Sequence, residues 1–192
     1  MPNRRRAAAL AGHQRDESLA RTHLADDDPA VRATALGALA RMDRLTDDDL
    51  AAALADEASV VRRRAAELAA THRRVSIDAA LVDADPSVVE AAAWAAGERD
   101  DPAAVPLLAA VARTHDDPLC REAAVAALGA IGDPAGLPTV LAATEDKPAV
   151  RRRAVLALAP FEGADVDAAL QRALTDPDRQ VRQAAEDLLS PP

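Results

Sequence analysis

Aromatic side chains are almost missing from this chain of 192 residues, which has one Trp (Trp94), one Phe (Phe161) and no Tyr. Strands draw on aromatic and β-branched residues, so a sheet protein is excluded. Cysteine is nearly absent too. Cys120 stands alone and cannot close an internal disulfide, which points to a reducing, cytoplasmic setting. No run of about 20 apolar residues is free of charge, which excludes a membrane-spanning helix. A secretory leader is not expected either, because the mildly apolar stretch Ala7 to Gly12 is followed at once by Arg15-Asp16-Glu17. Finally, there is no excess of positive charge. The net charge of -9 disfavours a general nucleic-acid binder, whose affinity comes largely from phosphate neutralisation. What is abundant is Ala, Leu and Val, so the core has to come from close packing of helices.

The order in this composition is a repeat. Asp28-Pro29-Ala30-Val31-Arg32 opens an alanine-rich stretch, and variants of it recur to the end of the chain. Taking the residue before the Arg as anchor gives Val31, Val61, Val88, Cys120, Val150 and Val181, at spacings of 30, 27, 32, 30 and 31. Four residues after each anchor stands Ala35, Ala65, Ala92, Ala124, Ala154 or Ala185. Apolar pairs follow at offsets of 7 and 8, from Ala38-Leu39 to Leu188-Leu189. Offsets of 0, 4, 7 and 8 share one helical face, so six helices carry one buried stripe.

Each of these helices is preceded by another. Thr46 followed by Asp47-Asp48-Asp49 reads as an N-cap with an acidic first turn. Ser76 caps a helix over Ile77 to Val82, and Asp165 precedes one from Val166 to Leu174. Pro106 and Pro138 fit only a first turn, where a missing N–H has no intrahelical partner. Gly97, Gly132 and Gly163 fall near predicted helix ends, where a left-handed residue is useful. Arg4-Arg5-Arg6-Ala7 matches Arg62-Arg63-Arg64-Ala65 and reads as the second helix of a repeat that lacks its first. The expected organisation is one domain over 1–192, with a capping half-repeat at 1–15 and six repeats over 16–190.

The pattern from Leu24 and Asp26 through Asp28-Pro29, Val31-Arg32 and Ala35 to Ala38-Leu39 resembles the HEAT repeat, in particular the short bacterial form named after the phycobilisome lyases. The resemblance runs from about Asp16 to Leu189. It implies an all-α, right-handed α-α superhelix of about six helical hairpins, with second helices on the concave side. It also implies an Asp/Arg ladder. Its acids are Asp26, Asp56, Asp83 and Asp176, with Glu145 as a substitute; its arginines are Arg32, Arg62, Arg121, Arg151 and Arg182. Such a ladder has a physical reason. An Arg at a helix N-terminus opposes the dipole at a cost of about 0.3–1 kcal/mol, which a neighbouring carboxylate offsets. The ladder is interrupted where Val89 replaces the Arg and His115 replaces the acid.

Catalytic readings find little support. The HEAT-type metal hydroxylases carry His-Glu pairs, and none of His13, His23, His72 or His115 is followed by Glu or paired with a second His four residues on. The runs Asp26–Asp28 and Asp47–Asp49 lack the ligand spacing of a calcium loop and read as capping turns. Cys120 takes a Val position and reads as a small buried hydrophobe. Gly129-Ala130-Ile131-Gly132 has neither the preceding strand nor the Lys of a phosphate loop. The Arg triplets at 4–6, 62–64 and 151–153 fall in non-adjacent repeats and read as solvated faces with local acidic partners.

The expected function is therefore non-catalytic, without cofactor or metal: a scaffold or adaptor that holds a protein or peptide partner on its concave face. Trp94 lies six positions after its anchor, about 240° around the helix and off the stripe. It is the candidate apolar anchor, since Trp is a common interface hot spot; burial against a neighbouring helix is the other reading. Arg63, Glu67, Glu90, Glu122, Arg152 and Leu156 share its face. Two alternatives rest on resemblance alone: a tetrapyrrole-handling role like that of the phycobilin lyases, and DNA recognition like that of the HEAT-like alkylpurine glycosylases. The second needs aromatics around an acid, which one Trp does not supply. Neither a membrane nor a nucleic acid is an expected partner.

Overall fold

The computed structural model describes residues 4–190. Among these are thirteen α-helices and no strand. The chain divides into two compact units, 1–95 and 96–192, with the division inside one helix.

The first unit begins with α1 (Arg4–Gln14) and continues through α2 (Glu17–His23), α3 (Pro29–Arg41), α4 (Asp47–Leu54), α5 (Ser59–Ala69) and the one-turn α6 (Asp78–Leu81) into α7 (Pro86–Arg99). Second helices form one layer, with α1 against α3 and α3 against α5. First helices form the other, with α2 against α3 and α4 against α5. The second unit takes the end of α7, then α8 (Val105–Thr114), α9 (Pro118–Ile131), α10 (Leu137–Ala143), α11 (Pro148–Ala157), α12 (Ala164–Ala173) and α13 (Arg179–Leu189). Here too the second helices stack, α9 on α11 and α11 on α13.

The predicted stripe is the core. All six anchors are at most 2% exposed, and the Ala four residues later is fully buried in every repeat. The stripe is wider than the spacing indicated, because offset 5 is buried as well, at Leu36, Ala66, Ala93, Val125 and Val155. It fades in α13, where Leu189 is exposed. Helix starts follow the caps. Thr46 and Asp49 form a reciprocal capping box, and Asp16, Asp28, Asp117 and Asp178 each accept a first-turn amide.

Several local expectations are corrected. The helix expected over 77–82 is only α6, because Ile77 and Val82 lie outside helical geometry. Pro106 and Pro138 do open helices, but each follows a short 3-10 turn, Pro102–Ala104 and Pro134–Gly136. Of the three glycines placed at helix ends, Gly132 is the left-handed C-cap of α9. Gly163 instead precedes α12 with φ 124°, and Gly97 lies within α7.

The ladder is present and its wiring differs from expectation. Four of the five ladder arginines span two repeats; Arg182 reaches only the carbonyls of its own turn. Arg62 donates from Nε and Nη2 to both oxygens of Asp83, at 2.7 and 2.9 Å, while its Nη1 donates to the carbonyls of Asp56 and Glu57 in its own turn, at 2.9 and 3.0 Å. Arg32 forks in the same way onto Asp56, Arg121 onto Asp146, and Arg151 onto Asp176. The carboxylate that neutralises each of these four thus belongs to the following repeat, and the rung is Asp146 rather than Glu145. Arg4 continues the series at its start, reaching Asp26 at 2.9 Å. Val89, in the place of an Arg, is fully buried. His115 takes over the other duty of the missing acid: its Nδ1 accepts the Asp117 amide at 3.0 Å, as Asp83 Oδ1 accepts that of Asp85 at 2.8 Å.

The rungs make stability depend on pH. Hydrogen bonds from Arg62, Arg121 and Arg151 hold Asp83, Asp146 and Asp176 below the usual carboxylate range. For Asp56 burial alone would raise the value, but bonds from Arg32 and the Ala58 amide outweigh it. A carboxyl whose folded value is depressed stabilises fully above its unfolded value of about 3.9 and loses that contribution as pH falls through the folded value. The urea midpoint should therefore be steady above about pH 5 and fall steeply below about pH 4. Asp146→Asn should lower the plateau and make the acid fall shallower.

Candidate partner-binding face

The exposed surface of the second helices holds the residues singled out above. In the first unit, α7 buries Val88, Val89, Ala91, Ala92, Ala93 and Ala95. Two exposed residues remain there at helical spacing, Glu90 and Trp94. Trp94 is 49% exposed, so burial of the ring in the core is not what the structure has. Arg63 is exposed on α5 and Glu67 is half-buried there. They bind each other: Glu67 accepts from Arg63 Nε at 3.1 Å and from Arg64 Nη1 at 2.9 Å.

In the second unit Glu122 of α9 faces α11, where Arg152 lies at 4.0 Å and Arg153 at 3.4 Å. Leu156 is half-buried one turn after Arg152. The candidate residues therefore fall into two sets, Arg63, Glu67, Glu90 and Trp94 in one unit and Glu122, Arg152 and Leu156 in the other. Several of the charges are already paired on the protein's own surface. At half exposure such pairs are worth about 0–1 kcal/mol, so a partner can exchange them at little cost.

Sequence reasoning missed a groove in the first unit, of about 370 Å3. It crosses α1, α3 and α5. The small residues Ala9, Ala33, Thr34 and Gly37 line it together with Arg5, Arg41, Arg63 and Arg64, and Glu67 is its one acid. The Arg triplets that looked separate are thus sorted by position. The first Arg of each, Arg4, Arg62 and Arg151, goes to a rung. Arg5, Arg63 and Arg64 line the groove. The usable signal was the match between 4–6 and 62–64, which puts Arg5 and Arg63 in equivalent positions on second helices. Arg41 had no such signal.

Gly37 matters to this groove because Arg64 lies across it. A Cβ built at Gly37 would meet Arg64 Nη2 at 2.8 Å, the far end of a flexible side chain. Gly37→Ala is expected to stabilise the protein by about 0.5–1 kcal/mol through helix propensity, with the guanidinium displaced. A raised urea midpoint checks this, and an unchanged or lowered one contradicts it.

Among the described residues, no three His, Cys, Asp or Glu side chains gather into a group that could hold a metal ion. No helix there is long and apolar enough to cross a membrane. Cys120 is buried in α9.

Known proteins agree with this architecture. The model of the HEAT repeats matches residues 75–159 and 112–190. No curated protein matches the sequence. Among solved structures, YibA of E. coli is 21% identical, over 96% of this chain and 74% of its own, with a TM-score of 0.70. The complex of CpcE and CpcF of phycocyanin lyase from Nostoc sp. PCC7120 gives 26% identity over 90% and 75%, with a TM-score of 0.65. Human deoxyhypusine hydroxylase gives 22% over 97% and 77%, with a TM-score of 0.52. Two of these three carry enzyme names, so the shared fold does not by itself decide for or against catalysis. The matched repeats, the buried stripe and the rungs agree on one point: the chain belongs to the HEAT-repeat family.

Proposed function

We propose that this protein is a non-catalytic interaction module of a reducing, cytoplasmic setting, and that its second helices receive a protein or peptide partner. One observation carries the reading. Trp94 is half exposed on a helix whose neighbouring positions are buried, so the chain's only Trp presents half of its surface to solvent. Glu90, one turn before it, and the Arg63–Glu67 pair of α5 offer charges to match a partner, and Glu122, Arg152 and Leu156 offer a similar surface in the second unit. An amphipathic ring supplies contact area at low entropic cost, which is why Trp so often dominates interfaces.

The test is a peptide-display selection on the wild-type protein, with each binder re-measured on Trp94→Ala. A hot-spot truncation costs about 2 kcal/mol or more, so affinity should fall about 30-fold or more. The urea midpoint should barely move, because so exposed a ring contributes little to the fold. Binders indifferent to Trp94→Ala would sink the reading. A tetrapyrrole-handling protein would instead change the absorbance of an added bilin; the reading here predicts no change.

A further inference from the structure

The groove across α1, α3 and α5 shows which charge a partner of the first unit should carry. We infer that it receives an extended acidic segment of a partner polypeptide. The inference rests on the reading that second helices bind polypeptide, and adds the chemistry of what is bound. Four arginines and one glutamate line the groove, in a chain whose net charge is -9. This is a local reversal of sign. Ion pairing within the chain does not use it up: among the described residues no carboxylate lies within ion-pair distance of Arg5 or Arg41, and Glu67 alone is shared by Arg63 and Arg64.

The shape fits a main chain. Its lining includes Ala9, Ala33, Thr34 and Gly37, short side chains that let a backbone approach closely. Three helices packed about 8–10 Å apart span about 20 Å, the reach of about six extended residues. Guanidinium groups from all three helices match carboxylates in forked geometry. A nucleic acid offers anions as well, but the groove holds no aromatic side chain for base stacking, and the acidic remainder of the chain repels a long polyanion.

The probe is a fluorescein-labelled twelve-residue peptide of alternating Glu and Ala, followed by anisotropy at about 50 mM salt on the full chain. The controls are its Lys-for-Glu counterpart and a single-stranded oligonucleotide of equal charge. The acidic peptide should bind, and the lysine peptide should not. Arg5→Ala with Arg41→Ala should weaken binding at least tenfold, whereas Arg172→Ala, on the exposed side of α12 in the second unit, should leave it within twofold. Glu67→Gln should tighten it about threefold or more by releasing Arg63 and Arg64, a gain that a folding defect cannot imitate. No binding, binding unaffected by the Arg5 and Arg41 changes, or tighter Arg-dependent binding of the oligonucleotide would each overturn the inference. Light scattering that shows dimers blocked by the same Arg changes would overturn it too, assigning the groove to a second copy. Trp94-dependent selected binders would survive any of these failures, so the two readings fail separately.

Discussion

Gly129→Ala should lower the stability of the second unit by about 2 kcal/mol, although Ala is the better helix former. Gly costs about 1 kcal/mol relative to Ala in a helix interior, so propensity alone predicts a gain. Packing reverses the sign. A Cβ at Gly129 would stand 2.5 Å from the Cβ of Ala157, 2.6 Å from its Cα and 3.0 Å from its carbonyl oxygen. Two of these three atoms are backbone, so relief requires α9 and α11 to separate. Overpacking of this kind costs about 1–3 kcal/mol; the upper value, less about 1 kcal/mol of propensity, leaves about 2. For a chain of this size that corresponds to a fall in Tm of about 4–8 °C. Gly129→Val should fall further. Gly37→Ala is the internal comparison, since the same chemical change there opposes a movable guanidinium and should raise stability. Thermal scans of the two variants with opposite signs support the packing argument; a stabilised Gly129→Ala contradicts it.

Arg121→Met should cost about 2–3 kcal/mol. It removes a fork at 2.7 and 2.8 Å on Asp146, together with donors to the carbonyls of His115 and Asp116 at 2.8 and 3.0 Å. Breaking a fully buried pair costs about 3–5 kcal/mol, and this one retains some solvent access, with side chains 12% and 20% exposed. Arg182 is the control. Its Nη1 donates to the carbonyls of Asp176 and Pro177, and no carboxylate holds it in a fork among the described residues. Arg182→Met should therefore cost about 1 kcal/mol, the loss of ordinary hydrogen bonds. A cycle combining Arg121→Met with Asp146→Asn should return a coupling of at least about 1 kcal/mol, whereas independent sites add to within about 0.3–0.5. Urea denaturation of the four proteins checks this, and additivity would show that the rung does not tie repeats together.

The core was legible in the sequence because burial there follows fixed offsets within one helix. Val31, Val61, Val88, Cys120, Val150 and Val181 needed no tertiary information. The rung at Asp146 was not legible, for a reason of turn length. In other repeats the acid stands three residues before the proline or its equivalent, which pointed to Glu145. The fifth turn instead uses Asp146, whose Oδ1 accepts the amide of the very next residue, Lys147, at 2.6 Å. Which repeat supplies the neutralising carboxylate was also hidden, since Arg62 is closer in sequence to Asp56 than to Asp83. Trp94 could be placed off the stripe by counting, but its exposure depended on what stands beside α7. The Arg groove was hardest. Its arginines come from residues 5, 41, 63 and 64 on three helices, and only stacking brings them together.

The central claim is that partners are received on the second helices. Hydrogen–deuterium exchange, with and without a saturating binder from the peptide selection, tests it most directly. Exchange should slow in α5 and α7, and in α9 and α11 for binders that also engage the second unit, with α4, α8 and α12 unchanged. Protection confined to the first helices, with α5 and α7 unaffected, would contradict it.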